Sequence, residues 1–272
     1  MDKVRALVIT GSGINCEEEM AAAYRLVGAQ PDIVHMSALF QEKVQIHDYD
    51  ILNLPGGFSF GDDLGSAKVL SNKFKFKKMA SGAHFLDELV KFLEAKKYII
   101  GVCNGFQALV KMGLLPNTGG YFEQEATLTY NDSGKFEDRW VRLQVNPKSP
   151  TPYFKQMDYF DVPVRHGEGK LIFGDADTRR RVEEQYLNCL TYVDEQGNPT
   201  DRYPFNPNGS ELNCAGLCDP SGQILGLMPH PEAFLSFYNH PNWAKQKRLH
   251  TQQDEDGKGL QIFRNIVESI RQ

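Results

Sequence analysis

The chain has 272 residues, of which 41% are hydrophobic and 24% are charged. These proportions are ordinary for a globular protein, so they argue against a disordered chain, and the length allows a full core without disulfides. The 30 Lys and Arg residues against 35 Asp and Glu residues give a net charge of −5. That balance argues against a general nucleic-acid binder and against a basic protein of membrane surfaces.

The sequence contains no apolar run long enough to span a membrane. Its N-terminus, MDKVRALVITGSG, lacks the apolar segment and the small-residue cleavage site of a signal peptide. The five cysteines are odd in number and widely scattered, which favours free thiols in a reducing compartment over a disulfide framework. We therefore expect a soluble protein of the cytoplasm.

The first half of the chain alternates strand-like and helical segments. Strands are predicted over 4–10, 31–36, 49–54 and 98–102, and helices over 16–28, 64–79 and 84–96. This alternation is typical of βαβ units, which build a mostly parallel sheet with helices on both faces. Such sheets place their chemistry at the carboxyl ends of the strands.

The second half is richer in short strands and turns. Strands are predicted over 127–130, 139–145, 162–165 and 187–193, a hairpin over 214–228, and a helix over 259–271. We find no internal repeat and no obvious linker. One α/β domain over residues 1–272, with extra antiparallel strands in its second half, is therefore the economical interpretation. A boundary near residue 120 is the alternative.

The sharpest chemical signal is Gly101-Val102-Cys103-Asn104-Gly105, where an apolar strand runs directly into a predicted helix. Glycines on both sides of a nucleophile permit the cramped turn that exposes it above the sheet edge. The free N–H groups at the start of the helix would also favour the thiolate of Cys103. The alternative is a buried structural cysteine, and for this pattern alone we give it about equal weight.

A second segment, Met228-Pro229-His230-Pro231-Glu232, follows the apolar run 224–227. His230 could take a proton from Cys103, and Glu232 could orient the imidazole. A surface turn is the simpler interpretation of this segment alone. Together with Cys103 at another strand end, however, it predicts a Cys-His-Glu triad.

A third segment, Pro55-Gly56-Gly57-Phe58, follows the strand predicted over 49–54. A nucleophile that attacks a carbonyl needs backbone N–H donors where the oxyanion develops. A Gly-Gly turn lets the backbone come close enough to supply them. The alternative is an ordinary glycine-rich turn.

In these contexts, Cys103, His230 and Glu232 resemble the class I, or triad, glutamine amidotransferases. Six matching segments keep their order and span nearly the whole chain: 11–16, 55–62, 101–107, 166–169, 206–210 and 228–232. The Asn-Gly-Phe-Gln run after Cys103, together with the segments 166–169 and 206–210, distinguishes a subfamily of purine biosynthesis from other triad glutaminases. The resemblance implies a single amidotransferase domain with a flavodoxin-like fold.

The resemblance also implies the roles of individual residues. Cys103 would attack the side-chain amide carbon of L-glutamine, giving a thioester and ammonia, and water would then release glutamate. His230 would act as general base and acid, and Glu232 would hold its tautomer. Backbone N–H groups of Gly57, Phe58 and Asn104 would form the oxyanion hole. Residues expected to frame the glutamine pocket or to face a partner are Gln107, His166, Gly167, Glu168, Asn206, Asn208 and Ser210.

The implied partner is a separate synthetase subunit that receives the ammonia and binds ATP, magnesium and formylglycinamide ribonucleotide. A small third subunit would bridge the two. No phosphate-binding loop of the G-x-x-x-x-G-K-[ST] type occurs in this sequence, so we expect no cofactor on this chain. We also expect no metal site, because Cys214 and Cys218 have no second pair at ligand spacing and fit buried strand positions. Cys16 is interpreted as structural or pocket-lining.

Residues 236–258 make this chain longer than compact members of the family. A solvated loop is the favoured interpretation of this insertion, and a docking or lid element is the alternative. Two other functions stay open at this point: a stand-alone cysteine amidase or peptidase on a similar sheet, and a non-catalytic glutamine-sensing module. The intact set of Cys103, His230 and Glu232 argues against the non-catalytic module.

Overall fold

The computed structural model describes residues 3–249 and 255–272. Its strands are β1 (Arg5–Thr10), β2 (Gln30–His35), β3 (Ile51–Leu54), β4 (Tyr98–Val102), β5 (Ala126–Thr129), β6 (Glu137–Val145), β7 (Tyr159–His166), β8 (Lys170–Phe173), β9 (Asn188–Val193), β10 (Cys214–Cys218) and β11 (Ile224–Leu227). Its helices are α1 (Glu17–Leu26), α2 (Met36–Phe40), α3 (Lys68–Phe76), α4 (Phe85–Glu94), α5 (Asn104–Met112), α6 (Ala176–Glu184), α7 (Trp243–Arg248) and α8 (Lys258–Arg271).

Nine strands form one sheet in the order β2-β1-β3-β4-β11-β10-β9-β6-β7. The strands from β2 to β11 are parallel to their neighbours. The sheet then continues through antiparallel pairings to β7, and β5 pairs with β8 in a separate two-stranded sheet. This arrangement confirms the α/β class with a parallel core and extra antiparallel strands in the second half. Because β11 pairs with β4, one sheet joins the two halves of the chain.

Burial explains why the parallel strands read as continuous apolar runs. Every residue of β3 and β11 is buried, since helices cover both faces of a parallel sheet. The C-terminal helix α8 contributes one apolar face, on which Phe263 and Ile266 are fully buried. Tyr24 of α1 meets Phe263 edge to face, with ring centroids 5.1 Å apart.

The predicted strands and helices are found with shifted ends. The largest shift concerns the helix predicted over 64–79, because Ala67 has a left-handed conformation and Lys77 is extended, so α3 covers only Lys68–Phe76. Four elements were not predicted: α2, β8, α6 and α7. In α6 only Thr178 and Val182 are buried, so its sequence carries no apolar stripe to reveal it.

The insertion is partly packed onto the sheet. Phe237 and His240 are buried, and Trp140 of β6 contacts both Phe234 and His240 edge to face. The solvated-loop interpretation is therefore wrong for Phe237 and His240, which are buried, whereas residues 238–239 and 241–242 are exposed as it expects. Helix α7 follows, and residues 250–254 of the insertion lie outside the described residues. The docking or lid alternative stays a prediction.

None of the helices within residues 3–249 and 255–272 combines the length and the hydropathy that a bilayer-spanning segment needs.

Candidate active site

The sheet topology brings the three predicted chemical segments to one edge. Cys103 follows β4, which lies between β3 and β11. The Gly56-Gly57 turn follows β3, and the segment of His230 and Glu232 follows β11. Parallel neighbours end at the same edge of a sheet, so segments distant in sequence flank the same cysteine.

Cys103 occupies a backbone conformation that side chains rarely adopt, with φ 49° and ψ −103°. Its N–H donates to the carbonyl of Leu227 at 2.8 Å, which ties the turn to β11. A Cβ atom on Gly105 would lie 1.9 Å from the carbonyl oxygen of Leu54. The spacing of glycines around Cys103 is therefore a requirement of close backbone packing. Strained residues held in this way concentrate at functional sites.

His230 and Glu232 form a buried pair in which Nδ1 lies 2.6 Å from Oε1. The N–H of His230 donates to the carbonyl of Pro163 at 2.8 Å, so β7 also helps to place the imidazole. Among the described residues, Nε2 of His230 has no hydrogen-bond partner. This nitrogen is free to exchange a proton with a neighbour.

The electrostatics of this pair favour a charged imidazole. Burial lowers the pKa of His230, but the Glu232 carboxylate and the Cys103 thiolate outweigh burial and hold that pKa well above its usual value. A protonated His230 is the counter-ion that a thiolate nucleophile needs. The predicted triad residues are thus neighbours with compatible charges.

A cavity of about 150 Å³ opens beside Cys103. Most residues predicted for the pocket line it: Gly57, Phe58, Gln107, His166, Gly167 and Glu168. The cavity wall also contains residues not predicted as site residues: Asp62, Ser66, Tyr130, Phe136 and Arg165. Asp62 could have been found, because it closes the family-like segment 55–62, whereas the other four carry no local signal.

The first turn of α5 is bonded to both walls of the cavity. Nε2 of Gln107 donates to the carbonyl of Glu168 at 2.6 Å, and Nδ2 of Asn104 donates to Oε1 of Gln107 at 3.0 Å. The side-chain oxygen of Asn104 accepts from the N–H of Ser59 at 3.2 Å. These bonds fix the start of the helix relative to the glycine turn and to the loop after β7.

The glycine turn is built by close backbone contact with the loop after β1. A Cβ atom on Gly57 would lie 2.5 Å from the carbonyl oxygen of Gly13. The N–H of Phe58 donates to that same oxygen at 2.7 Å. The expectation that Phe58 serves as an oxyanion donor is therefore not met in this conformation, because its N–H is already bonded. Gly57 and Asn104 stay predicted donors.

His166 is a buried histidine that stays neutral. Its Nδ1 lies 3.0 Å from Oδ1 of Asn131, which also accepts the N–H of Gly169 at 2.9 Å. Burial and the positive charge of His230 lower the pKa of His166 to about 3. Asn131, which the sequence analysis did not single out, therefore anchors the loop that forms one wall of the cavity.

Asn206, Asn208 and Ser210 neither line the cavity nor reach the surface. The hydroxyl of Ser210 donates to Oδ1 of Asn208 at 2.7 Å and lies 3.2 Å from the carbonyl of Gly169. Nδ2 of Asn208 donates to the hydroxyl of Tyr192 at 3.2 Å. The expectation that these residues frame the pocket or face a partner is wrong, because they brace the wall loop from behind.

Cys16 lies beside His230 and does not line the cavity. A Cβ atom on Gly56 would lie 2.7 Å from Cε1 of His230 and 3.2 Å from Sγ of Cys16. Gly56 therefore leaves the space that the imidazole and this thiol occupy. Burial raises the pKa of the Cys16 thiol, and contact with His230 opposes that rise.

Comparison with known protein families defines the class. Residues 3–269 match the family model described as a CobB/CobQ-like glutamine amidotransferase domain. The chain belongs to this family of glutamine amidotransferases.

Comparison with individual relatives narrows the assignment within this family. The phosphoribosylformylglycinamidine synthase subunit PurQ of Methanococcus maripaludis is 39% identical over 272 residues, covering 97% of this chain and 96% of that protein. The same subunit of Dehalococcoides mccartyi is 39% identical over 274 residues and covers both chains fully. A chain in the structure of PurLQS from Thermotoga maritima is 29% identical with a TM-score of 0.69, over 99% of this chain and 100% of that one. Within the family, these similarities set the chain among the PurQ subunits.

Proposed function

We propose that the chain is the glutaminase subunit of phosphoribosylformylglycinamidine synthase. It hydrolyses L-glutamine to glutamate and ammonia, and it delivers the ammonia to a synthetase subunit that uses ATP to convert formylglycinamide ribonucleotide to the amidine. The observation that carries this proposal is the convergence of Cys103, His230 and Glu232 at one sheet edge, in a chain similar to PurQ subunits over its full length. The similarity to a chain of PurLQS supports PurL and the small subunit PurS as partners.

The first half of the reaction forms a thioester. The Cys103 thiolate attacks the carboxamide carbon of glutamine, and the carbonyl electrons move onto oxygen. His230, held protonated by Glu232, gives its proton to the nitrogen as the carbon–nitrogen bond breaks. Ammonia leaves, and the acyl group stays on sulfur.

The second half hydrolyses this thioester. His230, now neutral, takes a proton from water, and the resulting hydroxide adds to the acyl carbon. The carbon–sulfur bond then breaks, which returns the thiolate and releases glutamate. In both halves the oxyanion needs N–H donors, and the Gly57 amide and the Asn104 amide at the start of α5 are the proposed pair.

The proposal includes no cofactor and no metal for this reaction on this chain, with ATP and magnesium on the synthetase. It also places the protein in the cytoplasm. All five cysteines are unpaired, which supports a reducing compartment.

Labelling with the glutamine-like electrophile 6-diazo-5-oxo-L-norleucine tests nucleophile and substrate class together. We expect one adduct, on Cys103, that excess glutamine prevents. Cys218→Ser is the matched control and should be labelled on Cys103 like the wild type. Cys218 is buried in β10 next to Ser149 and away from the cavity. Labelling elsewhere, or hydrolysis of unrelated amides and peptides at comparable rates, would favour the stand-alone amidase instead.

A further inference from the structure

A third side chain with metal-binding chemistry meets the His230–Glu232 pair. Sγ of Cys16, a ring nitrogen of His230 and a carboxylate oxygen of Glu232 all lie within 4.8 Å of one another. The three residues are buried, with 9%, 2% and 2% of their surfaces exposed. The reaction proposed above gives Cys16 no task.

The backbone holds Cys16 in this position. Its N–H lies 3.3 Å from the carbonyl of Gly56, and the neighbouring N–H of Asn15 reaches the same oxygen at 3.3 Å. The thiol itself donates to Oδ1 of Asn15 at 3.3 Å. A thiol is a weak donor, so this bond opposes metal binding very little.

We propose that Cys16, His230 and Glu232 form an inhibitory binding site for Zn²⁺. Thiolate, imidazole and carboxylate are all ligands that zinc accepts in proteins, whereas Mg²⁺ requires oxygen ligands. Oε2 of Glu232 is buried and has no hydrogen-bond partner within the described residues. This oxygen, or a water molecule, would complete the four ligands.

The geometry needs only side-chain adjustment to reach a tetrahedron. Nitrogen and oxygen ligands of tetrahedral zinc lie about 3.3 Å apart. The pair of Nδ1 and Oε1, now at 2.6 Å, would therefore open slightly while the thiol moves closer. The thiol proton and the Nδ1 proton would leave to solvent, so that the dication is balanced by one thiolate and one carboxylate. A neutral site is the kind that burial tolerates best.

Inhibition follows from the loss of the Nδ1 proton, and this consequence rests on the proposed function. With zinc on Nδ1, the imidazole keeps its remaining proton on Nε2. It can then no longer accept a proton from water in the second half of the reaction. Zinc would also break the His230–Glu232 hydrogen bond that orients the ring.

Zinc binding can be measured without any activity, by competition with a chromophoric chelator under reducing conditions. We expect one zinc per full-length chain in the wild type, in Cys103→Ser and in the control Cys218→Ser. Cys16→Ser should weaken binding at least about tenfold, because loss of a residue that only hydrogen-bonds a ligand already costs about 10–100-fold and here a thiolate ligand itself is lost. Mg²⁺ at the same concentrations should not compete with zinc.

Three results would overturn the proposal. The first is unchanged affinity in Cys16→Ser, and the second is loss of binding in Cys103→Ser, which would place the metal between Cys103 and Nε2 of His230. The third comes from X-ray absorption. Zinc-edge X-ray absorption of Cys103→Ser does not depend on whether Cys16→Ser folds, and it should detect one sulfur ligand. Absence of sulfur would also contradict the site. A wild type that binds zinc through Cys16 but hydrolyses no glutamine when it is zinc-free and assembled with the synthetase would refute the proposed function and leave the metal site standing.

Discussion

Nδ1 of His166 lies 3.0 Å from Oδ1 of Asn131, across 35 positions of sequence. Because the oxygen of a side-chain amide can only accept, Nδ1 carries the proton and the neutral tautomer is fixed. The amide nitrogen of Asn131 donates to the carbonyls of Lys135 and His166 at 2.9 and 2.8 Å. One side chain therefore joins the turn 131–135 to the loop after β7 on one side of the cavity.

Asn131→Ala should loosen this wall. Buried groups that lose their partners destabilise a fold by about 1–3 kcal/mol each, so we expect a lower free energy of unfolding and a raised KM for glutamine. Denaturant unfolding and steady-state kinetics measure both. The neighbouring Asp132→Ala is the control, since it removes an ion pair with Lys170 at a carboxylate that is 62% exposed and should change stability by less than about 1 kcal/mol. Equal effects of the two changes would refute the anchoring role.

Cys103→Ala should abolish glutamine-dependent synthesis in the assembled complex, because the attacking atom is gone. Synthesis from ammonium should persist, because the synthetase chemistry needs only ammonia. Parallel assays with glutamine and with ammonium distinguish the two steps, and Cys218→Ser serves again as the control. Glutamine-dependent turnover by Cys103→Ala would contradict the assignment of the nucleophile.

Glu232→Gln should shift the pH dependence of kcat/KM. Glu232 raises the pKa of His230, so the charged imidazole is present below that raised pKa and is lost as pH rises through it. Removing the carboxylate lowers this pKa, and the basic limb of the profile should move to lower pH. The pH profile of the variant, measured against that of the wild type, checks the direction. A basic limb that does not move would show that another group sets it.

Gly56→Ala should strongly lower kcat and only weakly lower the free energy of unfolding. The new methyl group would lie 2.7 Å from Cε1 of His230, so the imidazole must move away from its working position, and misplacement by about 1 Å costs on the order of 100-fold in rate. Gly11→Ala is the matched control. Its new methyl group would contact only Met36, at 3.5 Å, which is an ordinary van der Waals distance. Similar rates for the two variants would mean that His230 has room to adapt.

The isolated chain should be a poor glutaminase that its synthetase partner activates. The N–H of Phe58 is bonded to Gly13, so a conformational change could add it to the oxyanion hole when the partner docks. We expect kcat/KM for glutamine to rise at least about tenfold on addition of the synthetase with its nucleotide substrates. Equal kcat/KM values with and without the partner would refute activation by the partner, and the assignment of the triad residues would be unaffected.

Much of the fold could be predicted from the sequence because local residue patterns indicate the strands and turns. Apolar runs marked the buried strands, and glycine spacing marked the turn at Cys103, since only glycine fits 1.9 Å from the Leu54 carbonyl. Helix α6 escaped because it buries too little apolar surface to leave a periodic signal. Asn206, Asn208 and Ser210 were placed on the wrong side of the wall loop, because a motif does not say in which direction its side chains point.

By itself, the sequence determined the α/β class, the order of most of the elements and the three candidate triad residues, because each depends on residue types at short spacing. Only the tertiary structure decided which distant groups touch. The pairing of β4 with β3 and β11 sets Cys103 between two other strand ends, and the loop after β1 carries Cys16 to the imidazole of His230. Such contacts depend on strand order and on backbone packing over the whole chain. Local sequence propensities predict neither of these.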